Sequence, residues 1–330
     1  MIEKAIISGV ISLVVTAILG RILIPVLRSI KMGQKILDIG PRWHKNKEGT
    51  PTMGGIFFIG GVTVAALLYG ITESMAGAFD WKSFAVNCGF ILLNGLIGFV
   101  DDRTKFLKKQ NKGLSASQKL VLQFAASAAY VFAFYAGRHN DTSLALPFTS
   151  ARLELGVFYY VFLIVGITFT VNSVNLTDGI DGLAASVTAA ASLFLCAVSY
   201  RLELSDAMVV SAAICGGCIG FFLYNAHPAK VFMGDTGSLF LGAAVSAIAV
   251  WIDKPLILVF IGFIYYLEAV SVMLQVASYK LFKKRIFKMS PIHHHFEMCG
   301  WNEWTIVAAA LAVTVALSAV GCWGYLSVMQ

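Results

Sequence analysis

The sequence predicts an all-α, polytopic membrane protein of about ten transmembrane helices, and three observations carry this prediction. Hydrophobic residues make up 58% of the chain, charged residues only 13%, and the mean hydropathy is +0.77, far from the averages of soluble domains. Apolar runs close to the roughly 20 residues needed to cross a bilayer recur along all 330 residues. Lysine and arginine are concentrated in alternate loops between those runs.

Ten apolar runs give the predicted helices in chain order. The first run follows Lys4 and lacks a small-residue cleavage site, so it is expected to be a retained span. The runs leave no room for a sizeable water-soluble unit, so residues 1–330 are predicted to form a single transmembrane domain. The expected spans are roughly 4–27, 54–72, 83–100, 118–136, 156–172, 183–200, 207–224, 237–252, 256–279 and 304–327.

The positive charges predict the orientation, because cytoplasmic loops retain lysine and arginine. Eighteen lie in one set of alternate loops and six in the other, so both termini are expected outside. This asymmetry also explains the net charge of +7 without a nucleic-acid partner. The richer, cytoplasmic loops hold Arg28, Lys31, Lys35, Arg42, Lys45, Lys47, Arg103, Lys105, Lys108, Lys109, Lys112, Lys119, Lys230, Lys280, Lys283, Lys284, Arg285 and Lys288. The poorer loops hold Lys4, Lys82, Arg138, Arg152, Arg201 and Lys254.

Five carboxylates lie where the predicted cytoplasmic loops meet the helices. Asp101 and Asp102 end the third span, Asp178 and Asp181 follow the fifth, and Asp235 follows the seventh. Uncompensated charge near hydrocarbon is costly, and Mg²⁺ prefers carboxylate and phosphate oxygens. Three clusters at one membrane depth therefore predict a cytoplasmic cleft that binds Mg²⁺ and phosphate. For any single aspartate, a helix cap or a solvated loop is the competing interpretation.

Lysines and histidines supply the complementary charge. Positive-inside topology and attraction to anionic lipid account for most of the lysines that follow Asp102, and only a few are expected to bind substrate phosphate. Three consecutive histidines, at 293–295, lie in the last cytoplasmic loop and cannot all point one way. One or two are expected in the cleft, where imidazole binds phosphate or moves a proton near pH 7. His227 and His44 are expected to be structural.

Together, six motifs resemble those of the bacterial phospho-N-acetylmuramoyl-pentapeptide transferases. They are spread over five predicted cytoplasmic loops, and the resemblance covers nearly the whole chain. The motifs are Gly-Thr-Pro-Thr-Met-Gly-Gly at 49–55, Asp-Asp at 101–102, Asn-Leu-Thr-Asp-Gly-Ile-Asp-Gly-Leu at 175–183, Asn-Ala-His-Pro-Ala at 225–229, Val-Phe-Met-Gly-Asp-Thr-Gly-Ser-Leu at 231–239 and Pro-Ile-His-His-His-Phe-Glu at 291–297.

The resemblance implies a reaction and a setting. The implied reaction transfers phospho-MurNAc-pentapeptide from its UDP carrier to undecaprenyl phosphate, giving lipid I and UMP with Mg²⁺ as cofactor, the first membrane step of peptidoglycan synthesis. Either the acceptor phosphate attacks directly, with Asp101 or Asp102 as base, or a phospho-aspartyl enzyme forms first. The implied protein is a multi-pass homodimer of the bacterial cytoplasmic membrane, with its active site on the cytoplasmic face.

The resemblance also implies roles for individual residues. Asp235 matches the principal Mg²⁺ ligand, Asp101 and Asp102 match an acidic pair that deprotonates the lipid phosphate or positions the substrate, and His293 matches a catalytic histidine. The residues that match positions on the nucleoside and sugar side of the pocket are Lys47, Thr52, Asn175, Asp178, Asp181, Asn225, Phe232 and His294. On their charge and position alone, Lys105, Lys109, Lys112 and His295 are also expected to bind the substrates.

Two alternative functions share some of these features. A related prenyl-phosphate transferase that uses UDP-GlcNAc would share the aspartates, but the histidine loop favours the muramoyl enzyme. An ion transporter requires ionisable residues near the bilayer midplane, where only Glu268 is clearly expected.

Overall fold

The computed structural model describes residues 1–30, 49–77, 79–108, 113–136 and 141–328, and these ranges are almost wholly helical. Eight of the helices in them are long and apolar enough to cross a membrane: all except α4, α9, α10 and α11. The helices are α1 (Ile2–Ser29), α2 (Gly55–Met75), α3 (Trp81–Lys108), α4 (Ala116–Tyr135), α5 (Phe158–Thr177), α6 (Leu183–Arg201), α7 (Ser205–Asn225), α8 (Gly234–Trp251), α9 (Leu258–Ile261), α10 (Phe263–Phe282), α11 (Ile292–Met298) and α12 (Glu303–Leu326).

Each of the ten predicted segments corresponds to helix in the structure, but two of them differ from a simple apolar span. The fourth segment is α4, in which Gln118, Lys119 and Gln123 reduce the apolar character of a 20-residue helix. The ninth was expected to be one helix over 256–279, and that expectation is wrong. A 3₁₀ turn and α9 together bend by 80° against α10, at Gly262.

The bend at Gly262 has a local steric cause. A Cβ at this position would lie 2.6 Å from the carbonyl oxygen of Leu258, so only glycine allows the chain to turn this closely. The bent pair counts as a ninth candidate span among the described residues. The bend at Gly262 comes before Glu268. Glu268 therefore lies on α10, after the change of direction, and not within a continuous span.

A short β-hairpin joins α4 to α5 and is an addition to the predicted all-α fold. Strand β1 (Ser143–Ala145) pairs antiparallel with β2 (Arg152–Glu154), with Leu144 opposite Leu153. Arg152 ties the hairpin to the end of α8 through Asp253, at 2.9 Å. Strands of three residues show no alternating pattern long enough to be recognised in the sequence.

Helix α8 lies at the centre of the bundle and fixes the position of the site. Every residue from Thr236 to Val250 is buried. Glycines let two neighbouring helices approach its first turn: a Cβ on Gly98 of α3 would lie 2.1 Å from the carbonyl oxygen of Asp235. A Cβ on Gly55 of α2 would lie 2.3 Å from the Cα of Gly237. The start of α8 is therefore held against the end of α3 and the start of α2.

Candidate active site

Three carboxylates from two helices meet at the start of α8. Asp101 and Asp102 come from the last turns of α3, and Asp235 comes from the first turn of α8. One oxygen atom from each lies within 4.8 Å of the others. Asp101 and Asp102 are almost fully buried, so their mutual repulsion is weakly screened by solvent. Such a cluster requires bound positive charge.

Two lysines provide positive charge in this structure. Lys105 Nζ lies 2.7 Å from Asp101 Oδ2 and 2.9 Å from Asp235 Oδ2. Lys119 Nζ lies 2.5 Å from Asp235 Oδ2 and 3.3 Å from Asp101 Oδ2. Lys119 was not among the expected site residues, although it follows the capping box of Ser115 and Gln118 by one residue. No pattern in the sequence links Lys119 to Asp235, which lies 116 positions further along the chain.

The two neighbouring aspartates of α3 have different hydrogen bonds. Asp102 Oδ2 accepts from both the backbone N–H and the hydroxyl of Thr236, at 2.9 and 2.7 Å. Asp101 Oδ1 accepts from the N–H of Leu114, at 2.7 Å. Asp102 thus anchors the first turn of α8, whereas Asp101 anchors the chain that leads into α4. These three hydrogen bonds hold the two carboxylates in fixed orientations.

The loop before α8 brings the Gly-Thr-Pro-Thr-Met-Gly-Gly motif at 49–55 to the carboxylates. The N–H of Phe232 donates to Pro51, and the N–H groups of Gly54 and Gly55 donate to Phe232 and Met233. Gly234 has a φ of 74°. A Cβ there would lie 2.6 Å from Asp102 Oδ2 and 2.9 Å from Thr52 Oγ1, which places Thr52 beside the cluster. Glycine is required at 234 on both grounds.

The polar stretch at 172–182 forms the adjoining wall. Asn175 Nδ2 donates to Asp235 Oδ1 and to Ser238 Oγ, both at 2.8 Å. The pKa of Asp178 is raised to about 8, first because the carboxyl group is buried and then because Asp235 and Asp102 are close; a hydrogen bond from Gly234 N–H opposes this shift. Near neutral pH Asp178 can therefore donate as well as accept a hydrogen bond.

A second group of ionisable side chains surrounds Asp181, at the end of the polar stretch that is further along the chain from Asn175. His227 Nδ1 lies 2.9 Å from Asp181 Oδ2 and 3.4 Å from Glu303 Oε1, and the N–H of Asp181 donates to Glu303 Oε2. Asn225 accepts from the N–H of Gly182 and donates to Val231. His227 and Glu303 were not expected site residues. His227 lies within the motif at 225–229 and was expected to be structural, whereas Glu303 lies in none of the six motifs, and nothing in the sequence pairs either residue with Asp181.

The three histidines occupy the short helix α11 and have three different environments. His293 is buried, with Nδ1 3.0 Å from Glu268 Oε2, and it packs against Gly179. His294 Nδ1 lies 2.6 Å from Glu297 Oε2. His295 Nδ1 accepts from the N–H of Lys288 and contacts Phe287, so the structure directs it away from the carboxylates. Consecutive helical residues are expected to diverge in this way.

Most expected site residues thus converge on one end of the helix bundle. The residues brought to the carboxylates or to the wall beside them are Thr52, Lys105, Asn175, Asp178, Asp181, Asn225, Phe232, His293 and His294. Three further expected residues, Lys47, Lys109 and Lys112, lie outside the described residues.

The donor set fits a hard divalent cation. Carboxylate oxygens are ligands that Mg²⁺ accepts, and lysine ammonium groups already lie within 2.9 Å of Asp235 and Asp101 in this structure. The negative charge of the carboxylates therefore stabilises a cation at this position. The same lysines can bind phosphate when the carboxylates are neutralised by another cation. The arrangement is suited to holding two phosphate-bearing molecules together.

Comparison of the sequence with known proteins shows which family has these site residues. The profile of Glycosyl transferase family 4 matches residues 84–253, and phospho-N-acetylmuramoyl-pentapeptide-transferase signature 1 matches residues 47–59. The phospho-N-acetylmuramoyl-pentapeptide-transferase of Desulfitobacterium hafniense is 44% identical over the full length of both chains. Those of Clostridium kluyveri and Clostridium perfringens are 45% and 43% identical, over 96% and 94% of this chain and 98% and 96% of their own.

The chain belongs to the phospho-N-acetylmuramoyl-pentapeptide-transferase family. The family signature covers the segment that pairs with Phe232 and Met233, so it includes part of the site itself. The Glycosyl transferase family 4 match contains all three carboxylates of the cluster and the polar stretch at 172–182. The resemblance of the six motifs and the multi-pass membrane character are confirmed.

Proposed function

We propose that this protein transfers phospho-N-acetylmuramoyl-pentapeptide from UDP-MurNAc-pentapeptide to undecaprenyl phosphate, releasing UMP and forming lipid I. The observation that carries the proposal is the meeting of Asp101, Asp102 and Asp235 with Lys105 and Lys119 at one end of an apolar bundle. Family membership supplies the substrate class, and the chain is a peptidoglycan-synthesising transferase of a membrane.

The proposed setting is the bacterial cytoplasmic membrane, with ten spans, both termini outside and the site on the cytoplasmic face. The support is the excess of lysine and arginine in the loops at the site's end of the bundle. In that orientation the water-soluble nucleotide reaches the carboxylates from the cytosol, and the lipid phosphate lies at headgroup depth. We further propose a single-domain protomer and a homodimer.

Mg²⁺ is the proposed cofactor, with Asp235 as its principal ligand and Asp101 or Asp102 beside it. When bound, Mg²⁺ offsets the charge of the phosphates and polarises a phosphoryl oxygen. Lys105 and Lys119 would then be free to bind the substrate phosphates that replace their present carboxylate partners. Asn175, held by Ser238, keeps the Asp235 carboxylate in its orientation.

The proposed step is a direct displacement. An oxygen of the acceptor phosphate attacks the β-phosphorus of UDP-MurNAc-pentapeptide, the bond to the bridging oxygen breaks, and UMP leaves with the bonding electrons. Asp101 or Asp102 removes the proton from the singly charged acceptor phosphate, which has a pKa near 6. The competing route forms a phospho-aspartyl enzyme first and transfers the phosphoryl group to the acceptor in a second step.

The test is lipid I synthesis by purified protein in detergent, with and without Mg²⁺. We expect UMP and lipid I from UDP-MurNAc-pentapeptide, much less product from UDP-GlcNAc, and none after chelation. Absence of product with all components present would contradict the proposal. Omitting the lipid acceptor tests the direct route, because labelled UMP enters UDP-MurNAc-pentapeptide without acceptor only if a covalent enzyme intermediate forms.

A further inference from the structure

A buried carboxylate–imidazole pair lies beneath the polar stretch, outside the three-aspartate cluster. Glu268 of α10 and His293 of α11 are only 3% and 1% exposed. Glu268 Oε2 lies 3.0 Å from His293 Nδ1, and the backbone N–H of His293 donates to the same oxygen at 3.3 Å. One carboxylate therefore holds both the backbone and the ring of this histidine.

The pair determines which nitrogen of the ring remains available. A carboxylate accepts hydrogen bonds, so the contact assigns the proton to Nδ1 and leaves Nε2 on the opposite edge. Nε2 is buried and has no hydrogen-bond partner among the residues that the structure describes. It lies against Gly179, next to Asp178, and a Cβ on Gly179 would be 2.2 Å from it. An unpartnered buried nitrogen is costly, and because Nε2 accepts in this tautomer, an O–H or N–H group of a bound substrate at this wall would satisfy it.

A second contact from α10 fixes the chain that precedes α11. Gln275 Oε1 accepts from the N–H groups of Ile286 and Phe287, and Gln275 Nε2 donates to the carbonyl of Phe287, all at 3.0 Å. Glu268 and Gln275 are seven residues apart, so they lie two turns apart on the same side of α10. The redirected helix α10 thus holds the histidine segment at two points.

We propose that Glu268 is a positioning residue of the transferase: it holds His293 in the Nδ1–H tautomer and directs Nε2, as a hydrogen-bond acceptor, toward the substrates bound at this wall. The inference rests on the proposed function for the role of His293, but the Glu268–His293 contact does not depend on it. In other proteins, a carboxylate that accepts from one ring nitrogen orients a catalytic or metal-bound imidazole in the same way. Removing that carboxylate typically lowers activity or metal affinity roughly 10- to 100-fold.

Kinetics of Glu268→Gln provide the first test, because this change keeps the shape and removes the charge. We expect kcat to fall roughly 10- to 100-fold while KM for UDP-MurNAc-pentapeptide changes less than about 3-fold. In a His293→Ala background, adding Glu268→Gln should cause no further loss, since Glu268 acts through the imidazole. The matched control is Glu73→Gln, which removes a carboxylate paired with Lys4 at the far end of α2.

Nuclear magnetic resonance of the full-length protein with ¹⁵N-labelled histidine provides the second test and needs no activity. The His293 signals are identified by their loss in His293→Ala. We expect a protonated, strongly hydrogen-bonded Nδ1 in the wild type, and a weakened Nδ1–H hydrogen bond in Glu268→Gln but not in Glu73→Gln.

Several results would overturn the inference. These are an unchanged His293 signal in Glu268→Gln, a wild-type kcat for that variant, an effect confined to KM or to protein yield, or a further loss in the double variant. If His293→Ala has no measurable turnover, the resonance result alone decides. A wild-type protein that makes no lipid I would instead contradict the proposed function, whatever the state of the Glu268–His293 hydrogen bond.

Discussion

At Asp235, three partners from three different helices meet on one carboxyl group. Asn175 donates to Oδ1, while the ammonium groups of Lys105 and Lys119 share Oδ2. Both ammonium groups contact the same oxygen atom of Asp235, and each also contacts Asp101. The combined negative charge of the two carboxylates stabilises both lysines at this position. This side chain is therefore the best single position at which to test the electrostatics of the site.

Replacing Asp235 by asparagine keeps the shape of the side chain and removes its charge. We expect activity to fall at least roughly 100-fold and the response to added Mg²⁺ to disappear, because the proposed principal Mg²⁺ ligand is lost. Lipid I synthesis over a Mg²⁺ titration measures both effects. Protein yield and thermal unfolding in detergent should change little.

Asp206→Asn is the matched control for this substitution. Asp206 accepts a hydrogen bond from Tyr69 at 2.7 Å, at the first turn of α7 and away from the carboxylate cluster. Its Mg²⁺ response should match that of the wild type. Near-wild-type turnover in Asp235→Asn would remove the metal assignment from this residue.

At the level of elements, the crossing of α3 and α8 determines the geometry of the site. Gly98 lies directly against the backbone of Asp235, one turn before Asp101 and Asp102. The close approach lets the carboxylates of α3 and the first turn of α8 share Thr236 and Lys105. The helices α4, α5 and α10 then add Lys119, Asn175 and Glu268 from three other directions.

A methyl group at Gly98 should separate α3 from α8. In Gly98→Ala the new Cβ would lie 2.1 Å from the carbonyl oxygen of Asp235, a backbone atom that cannot move independently of α8. We expect a loss of about 1–3 kcal/mol in stability and a larger loss of turnover, since small displacements of reacting groups are costly. Thermal unfolding and lipid I synthesis measure the two effects.

Gly89→Ala is the control on the same helix. A Cβ at Gly89 would have no heavy atom of the described residues within 4 Å, so we expect unchanged activity and a stability equal to or slightly above that of the wild type. Equal behaviour of the two alanine variants would contradict the importance of the close α3–α8 approach.

For the whole molecule, the two ends of the bundle have distinct chemistry. The carboxylates, lysines and histidines occupy the end at which α8 begins. The hairpin is tied by Arg152 to Asp253, just after the end of α8, about 27 Å away along an 18-residue helix. The loops between the helices carry the larger share of positive charge at the first end. The proposed orientation follows from this asymmetry.

Cysteine labelling tests that orientation. Cys299 is exposed beside α11, and Ser150 is exposed in the hairpin loop at the opposite end. A membrane-impermeant maleimide should label a Ser150→Cys variant in intact spheroplasts and should label Cys299 only in inverted vesicles. A Cys299→Ser variant controls for labelling of the remaining cysteines. The reversed pattern would contradict a cytoplasmic site.

The sequence by itself determined the membrane class, the approximate positions of the helices and the family. These properties depend on local composition: the length of an apolar run reflects the thickness of the bilayer, and the six motifs are contiguous in the chain. Asp101, Asp102 and Asp235 could be predicted to meet because each lies at a helix end on the same side. The signature motif and its match to known relatives rest on the same local information.

Only the tertiary structure decided which side chains complete the site. Lys119 reaches Asp235 across 116 positions, Glu303 reaches Asp181 across 122, and the partner of His293 lies on a helix that changes direction at Gly262. Neither apolar periodicity nor motif spacing carries information about such contacts, because they depend on how closely the helices pack and where a span breaks. Local hydrophobicity fixes where a helix lies along the chain, whereas glycine contacts and long-range charge pairing determine what it faces.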